Sequence, residues 1–131
     1  MRDTIVAYLK SLKLKNFTVA NELPFAQNGT QLYVKNPKTI YVDQEQYSTE
    51  DFMKVMNGRD IQKEIVTVFV YLAIDAKQTN AEYSSVIESI KRAKQIDTEL
   101  TYNWKESEVN VEYENDKLIT TVELRYSRLL S

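Results

Sequence analysis

The sequence predicts an α+β fold: an antiparallel-rich sheet of about six strands, with two main helices packed on one face. Three observations carry that reading. Residues 65–74, Ile-Val-Thr-Val-Phe-Val-Tyr-Leu-Ala-Ile, are apolar on both faces, as a strand deep inside a sheet requires. In the stretch that follows, Tyr83, Val86, Ile87, Ile90 and Ala93 recur at helical spacing, with Ser85, Glu88, Lys91 and Arg92 opposite. Two runs of period two then flank Asn115-Asp116, the pattern of a β-hairpin.

The chain opens with Ile5, Leu9 and Leu12 at helical spacing. Asp3 or Thr4 is positioned to cap a first helix over 3–13. Residues 16–23 alternate as a strand, with Phe17 and Val19 on one side. Asn28-Gly29 is a strong two-residue hairpin signal, because both residues tolerate positive φ. Strands over 31–35 and 39–46, separated by Asn36-Pro37, complete an expected three-strand meander.

Residues 47–61 allow two readings. Ser48 can cap a short helix whose stripe is Phe52, Val55 and Met56, stopped at Asn57-Gly58. The other reading is a protruding loop that carries an apolar patch. Beyond the apolar strand, Thr79 and Glu82 form a capping box for the second helix, over 82–94. In the closing hairpin Val109, Val111 and Tyr113 alternate with Asn110, Glu112 and Glu114. Leu118, Thr120, Val122, Leu124 and Tyr126 alternate with Ile119, Thr121, Glu123 and Arg125.

A length of 131 residues suits one domain, and neither a repeat nor an interdomain linker interrupts it. Hydrophobic residues are 43% and charged residues 27%, an ordinary globular balance. Net charge is −2 with Lys and Arg dispersed, which disfavours a dedicated nucleic-acid binder. The chain has no Cys and no His. Disulfides, thiolate chemistry, the commonest general base and the commonest metal ligand are thereby removed. With only Gly29 and Gly58, a glycine-rich phosphate loop is excluded. No apolar run reaches membrane-spanning length, and the start of the chain reads as an amphipathic helix rather than a signal peptide. A soluble, intracellularly made protein without cofactor is expected.

Several groups could in principle carry chemistry. Glu112 and Glu114 share a strand face, with Glu123 expected opposite; such a set can divide acid and base roles if its pKa values are split. Nothing apolar in sequence surrounds them, so a solvated sheet face is the favoured reading. Glu45, Glu50, Asp51 and Asp60 lack the dense, fixed spacing and turn glycine of a calcium loop. Ser89 and Lys91, like Ser11 and Lys13, stand two apart on helices and do not face each other. Of nine tyrosines, Tyr33, Tyr41, Tyr71, Tyr113 and Tyr126 fall on expected strands. A stacking platform for single-stranded bases needs them on one face. Core edge and protein interface are the simpler fates for them. Phe52, Val55 and Met56 are the candidates for contacts between subunits. No catalytic, cofactor or metal residues are expected.

In its order of elements the chain resembles the tail terminator, or tail completion, proteins of long-tailed bacteriophages. The likeness runs over a first helix, a meander, the insertion at 47–60, the long strand at 65–74, the helix at 82–94 and the hairpin through 109–113 and 118–126. It closes on Arg125-Tyr126-Ser127-Arg128-Leu129-Leu130. It covers nearly the whole chain as a pattern and carries over no individual residue. The resemblance implies a structural virion protein and no enzyme. Six copies would form a ring at the head-proximal end of the tail tube, touching the tube protein below and a head-side neck protein above. DNA would pass through the lumen without being read, no membrane would be involved, and the ring would be assembled in the host cytoplasm. Another neck or head-tail joining ring protein shares this pattern. A small monomeric binding module, such as an inhibitor or immunity protein, is the alternative from a different class.

Overall fold

The computed structural model describes residues 1–28, 31–34, 37–54, 60–75, 77, 81–96, 101–114 and 116–130. Among the described residues, ten elements carry the fold. Helix α1 is Arg2–Ser11, followed by strands β1 (Thr18–Ala20), β2 (Phe25–Asn28), β3 (Gln31–Val34), β4 (Thr39–Val42), β5 (Gln46–Lys54) and β6 (Asp60–Asp75). Helix α2 (Ala81–Lys91) continues into a 3-10 turn, Arg92–Gln95, and β7 (Trp104–Glu114) and β8 (Lys117–Leu130) close the chain. The α+β class and the mostly antiparallel sheet with two helices match the sequence reading.

The main sheet runs β1-β4-β6-β8-β7, with β5 also paired to β6. Because β6 residues 62–67 pair with β5 and β8 together, β5 lies on the same edge of β6 as β4. Val42 faces Val70 while Gln46 faces Thr67, so one extra residue bulges between β4 and β5. Through that bulge Asp43 still donates its N–H to the Phe69 carbonyl at 2.9 Å. Strands β4 and β5 are therefore two halves of one long bent strand. Residues 47–54 extend the sheet, where a short helix or a loop was expected; ladder pairing to β6 prevails over the helical spacing of a few apolar residues. Residues 55–59, with Val55 and Met56, lie outside the described residues.

The first half of the chain departs from the expected meander in a second way. Strand β1 pairs with β4 in parallel, Thr18 facing Thr39, and β2 and β3 form a separate two-stranded sheet. The Asn28-Gly29 hairpin signal is matched by the β2–β3 register, Asn28 facing Gln31. Inserting that hairpin between β1 and β4 returns the chain to the sheet in the direction of β1, so an antiparallel pair cannot form. The hairpin leans on the sheet through Phe25, edge-on to Tyr71 with ring centroids 5.7 Å apart.

Burial follows the pleat. Val66, Val68, Val70, Leu72 and Ile74 of β6 are buried with Leu118, Thr120, Val122, Leu124 and Tyr126 of β8, their register partners. Ile5 and Leu9 of α1 and Val86, Ile87 and Ile90 of α2 join the same core, so both helices cover this one face. The buried hydroxyl of Thr120 is hydrogen-bonded to the Tyr83 hydroxyl at 2.5 Å, which ties α2 to the sheet. Neither expected side-chain cap is seen on α1: Met1 occupies the cap position without a side-chain bond, and Asp3 stands in the first turn, where its charge suits the helix dipole. Thr79 of the second capping box lies outside the described residues.

The start of α1 is held from the sheet. Glu45, in the β4–β5 bulge, accepts from the Met1 ammonium at 2.5 Å and from the Arg2 N–H at 3.0 Å, while Arg2 Nε donates to the Val42 carbonyl at 2.8 Å. The hydrogen bond from the Met1 ammonium holds the Glu45 carboxyl below its ordinary range against the upward push of its own partial burial, and the Arg2 N–H adds to the lowering. A lowered folded pKa contributes stability above the unfolded pKa and loses it as the pH falls through the folded value. Glu45→Gln is therefore expected to cost roughly 1 kcal/mol at pH 7. The gap from the parent should shrink as the pH drops below about 4, read by urea denaturation at several pH values. A gap that does not change with pH would show that the charge of Glu45 contributes nothing.

Candidate functional site

The cover of the helices stops at Val66. Beyond it, the first residues of β6, the end of β5 and the end of β8 run on as a three-stranded extension whose described side chains, apart from the buried Ser127, are half-buried or exposed. Cross-strand pairing holds it together: Arg128 Nε donates to Glu64 Oε2 at 2.8 Å. The β5–β6 register shifts between Asp51 and Met53, which makes Phe52 the bulged residue. A bulge re-aims a side chain. Phe52 meets Trp104, the first residue of β7, with ring centroids 5.6 Å apart. Lys63 of β6 sets its ammonium 4.8 Å from the centre of the Trp104 ring, a cation–π contact.

Trp104, Lys63 and Leu129 share the sheet face that the helices leave open: Trp104 pairs with Ser127, Ser127 with Ile65, and Lys63 with Leu129. Phe52, Met53 and Leu129 remain exposed there, at 43%, 49% and 39%. An apolar corner with a half-buried cation above an aromatic ring is a surface suited to protein contact. Sequence reasoning named Phe52 of this corner and missed Trp104, Lys63, Met53 and Leu129. The only signal for Trp104 was its being the single tryptophan.

A second surface is acidic. On β7 the open face carries Glu106, Glu108 and Glu112, all exposed, by their register against Arg125, Glu123 and Ile119 of β8. Glu123 thus stands opposite Glu108 and not opposite Glu112. Arg125 bonds Glu123 at 2.9 Å, and that carboxylate, with Glu106 and Glu108 nearby, holds the guanidinium even more firmly protonated than usual. A shallow hollow of about 360 Å³ is lined by these groups. Arg125 neutralises the carboxylate that an acid–base pair would need to keep apart from its partner, so the arrangement is a charged surface lattice. The side chain of Glu114 lies outside the described residues.

The remaining candidates are scattered. Glu45 is engaged at the α1 start; Glu50 faces Lys63, and Asp51 faces Gln62. Among the described residues no three acidic side chains gather to hold a cation. Ser11 and Ser89 donate to the carbonyls of Tyr8 and Ser85, and Lys91 pairs with Glu88. The strand tyrosines divide between faces. Tyr41 and Tyr71 stack at 6.4 Å on the open face, while Tyr126 is buried under the helices and Tyr113 is exposed on the helix side. They form no single stacking platform, and the side chain of Tyr33 lies outside the described residues.

No helix among the described residues is long and apolar enough to cross a membrane. No protein-family model matches the chain, and no curated protein matches it. Fold and surface together define a two-layer α+β sheet protein with an exposed aromatic corner and an acidic edge.

Proposed function

We propose that the protein is a structural, ring-forming subunit and not a catalyst: a tail terminator that caps the head-proximal end of a phage tail tube and joins it to the neck. The observation that carries the reading is the apolar corner around Phe52 and Trp104, set on a sheet extension that projects past the helices. Such an extension reaches a neighbour without disturbing the core, and its apolar side chains are stabilised when the neighbour covers them. The element order that resembles the tail terminators supplies the particular role. Six copies would then enclose a lumen for DNA in the virion neck.

Electron microscopy and native mass spectrometry of the protein, at high concentration and after incubation with phage tail tubes, test the reading. Closed rings of six, or one ring per tube end, are the expected result. A protein that stays monomeric in both settings would overturn it. Phe52→Ala combined with Met53→Ser is expected to weaken assembly roughly tenfold, since the two positions lie in the apolar corner that a neighbour would cover. The isolated subunit should lose no more than about 1 kcal/mol, because both side chains are largely exposed in it and only the Phe52–Trp104 ring contact is given up. An assembled ring in which both side chains still face water would remove them from the interface.

A further inference from the structure

The two edges of the main sheet differ in a way that specifies how copies meet. Strand β7 terminates one side of the strand order, and among the described residues nothing pairs its outer edge. Its helix-side row is Val109, Val111 and Tyr113, which share a face with the core residues Val122, Thr120 and Leu118 yet stand 36%, 39% and 73% exposed. Its other row is the acidic Glu106, Glu108 and Glu112. An 11-residue edge strand that is apolar on one face is a pairing hazard unless something covers it.

Strand β1 ends the opposite side. Between it and α1 lies a groove of about 250 Å³, lined by Leu9, Lys10, Lys13, Leu14, Phe17 and Val19. Its floor is apolar, and Lys10, Lys13 and Lys15 are exposed around it. One edge therefore offers an apolar row beside carboxylates, and the other an apolar groove beside ammonium groups.

We infer that the occupant of the groove is the β7 edge of a second copy of this chain. Tyr113 and Val111 enter the groove, and Lys13 and Lys10 at its rim reach past the outer edge of the strand toward Glu112 and Glu108 on its other face. Charge selects this arrangement. Two β7 edges meeting symmetrically would bring glutamates against glutamates, which is unfavourable. A contact between different patches on opposite edges is heterologous, so each added copy leaves one acidic and one basic edge open until a ring closes. The inference rests on the proposed ring assembly and gives its subunits a second contact, beside that of the Phe52 corner.

Cross-linking tests it, because the chain has no native cysteine. Lys13→Cys and Glu112→Cys chains, mixed and treated with a flexible bis-maleimide, are expected to give dimers, and neither variant alone should. A chain carrying both substitutions should give a ladder that ends at one closed species. Lys13→Glu is expected to weaken association roughly tenfold, and mixing it with Glu112→Lys should restore most of the loss. Dimers from Glu112→Cys alone would overturn the inference in favour of symmetric pairing. Closed rings that do not cross-link would overturn it and leave the ring reading standing. A cross-linked ladder that never closes would support the edge contact and overturn the ring. A chain that never associates would overturn both.

Discussion

Replacing Tyr126 with alanine is expected to cost about 3–5 kcal/mol and to lower the thermal midpoint by roughly 10 °C or more. Tyr126 is fully buried, the bulkiest side chain of the core, and it packs on Tyr102 with ring centroids 5.5 Å apart. Its hydroxyl donates to the Ala93 carbonyl at 2.6 Å, in the 3-10 turn that ends α2. One residue thus joins β8, the end of the helix and the segment leading into β7. Tyr126→Phe separates the two contributions. It keeps the ring, loses the hydrogen bond and leaves the Ala93 carbonyl without that donor, at an expected cost of about 1–3 kcal/mol. Burial also pushes the phenol well above its ordinary range, with Tyr102 adding to the shift. A raised folded pKa means that the contribution is intact below the unfolded value near 10 and is lost as the pH rises beyond it. The parent should therefore lose stability above about pH 10 more steeply than Tyr126→Phe. Denaturant titrations at pH 8 and pH 11 measure both effects, and equal slopes with pH would mean that Tyr126 ionises freely in the folded protein.

Much of this arrangement was legible in the sequence because local pattern and tertiary environment agree. Residues 65–74 are apolar on both sides, and β6 is the central strand, with helices on one face and the Phe25 hairpin leaning on the other. The closing hairpin was legible because alternation continues unbroken through β8 and the turn is short. Asp116 takes positive φ, as a two-residue turn of this kind demands. Residues 47–54 misled for a definite reason. The bulge at Phe52 breaks the period of two, and the surviving spacing of Phe52, Val55 and Met56 imitates a helix. The pairing of β1 was illegible for another reason: alternation says which face a residue takes, but not which strand lies beside it or in which direction. Trp104 beside Phe52 joins residues far apart in sequence across two intervening strands, and no local pattern encodes that. The acidic row of β7 was visible as glutamates at period two. Its consequence depended on finding the lysine-rimmed groove at the far edge.

A pair of substitutions on one sheet face measures where the helical cover ends. Leu72→Ala in β6 is expected to cost about 2–5 kcal/mol, a large share of the 5–15 kcal/mol typical of a domain. Leu72 is 1% exposed, between Ile40 of β4 and Thr120 of β8 and under the helices. Neighbours fixed in a sheet relax poorly, so the alanine leaves a cavity. Val111→Ala in β7 points to the same side, facing Thr120 from the other edge of β8, but its side chain meets water. It should cost the isolated subunit no more than about 0.5 kcal/mol. The order is expected to reverse for assembly: Val111→Ala weakens association between folded subunits, whereas Leu72→Ala acts only through the fraction unfolded. Urea denaturation of dilute protein gives the first comparison, and sedimentation at high concentration the second. A Val111→Ala cost comparable to that of Leu72→Ala in the dilute subunit would mean that the β7 face is already covered by its own chain. The edge would then be unavailable to a neighbour.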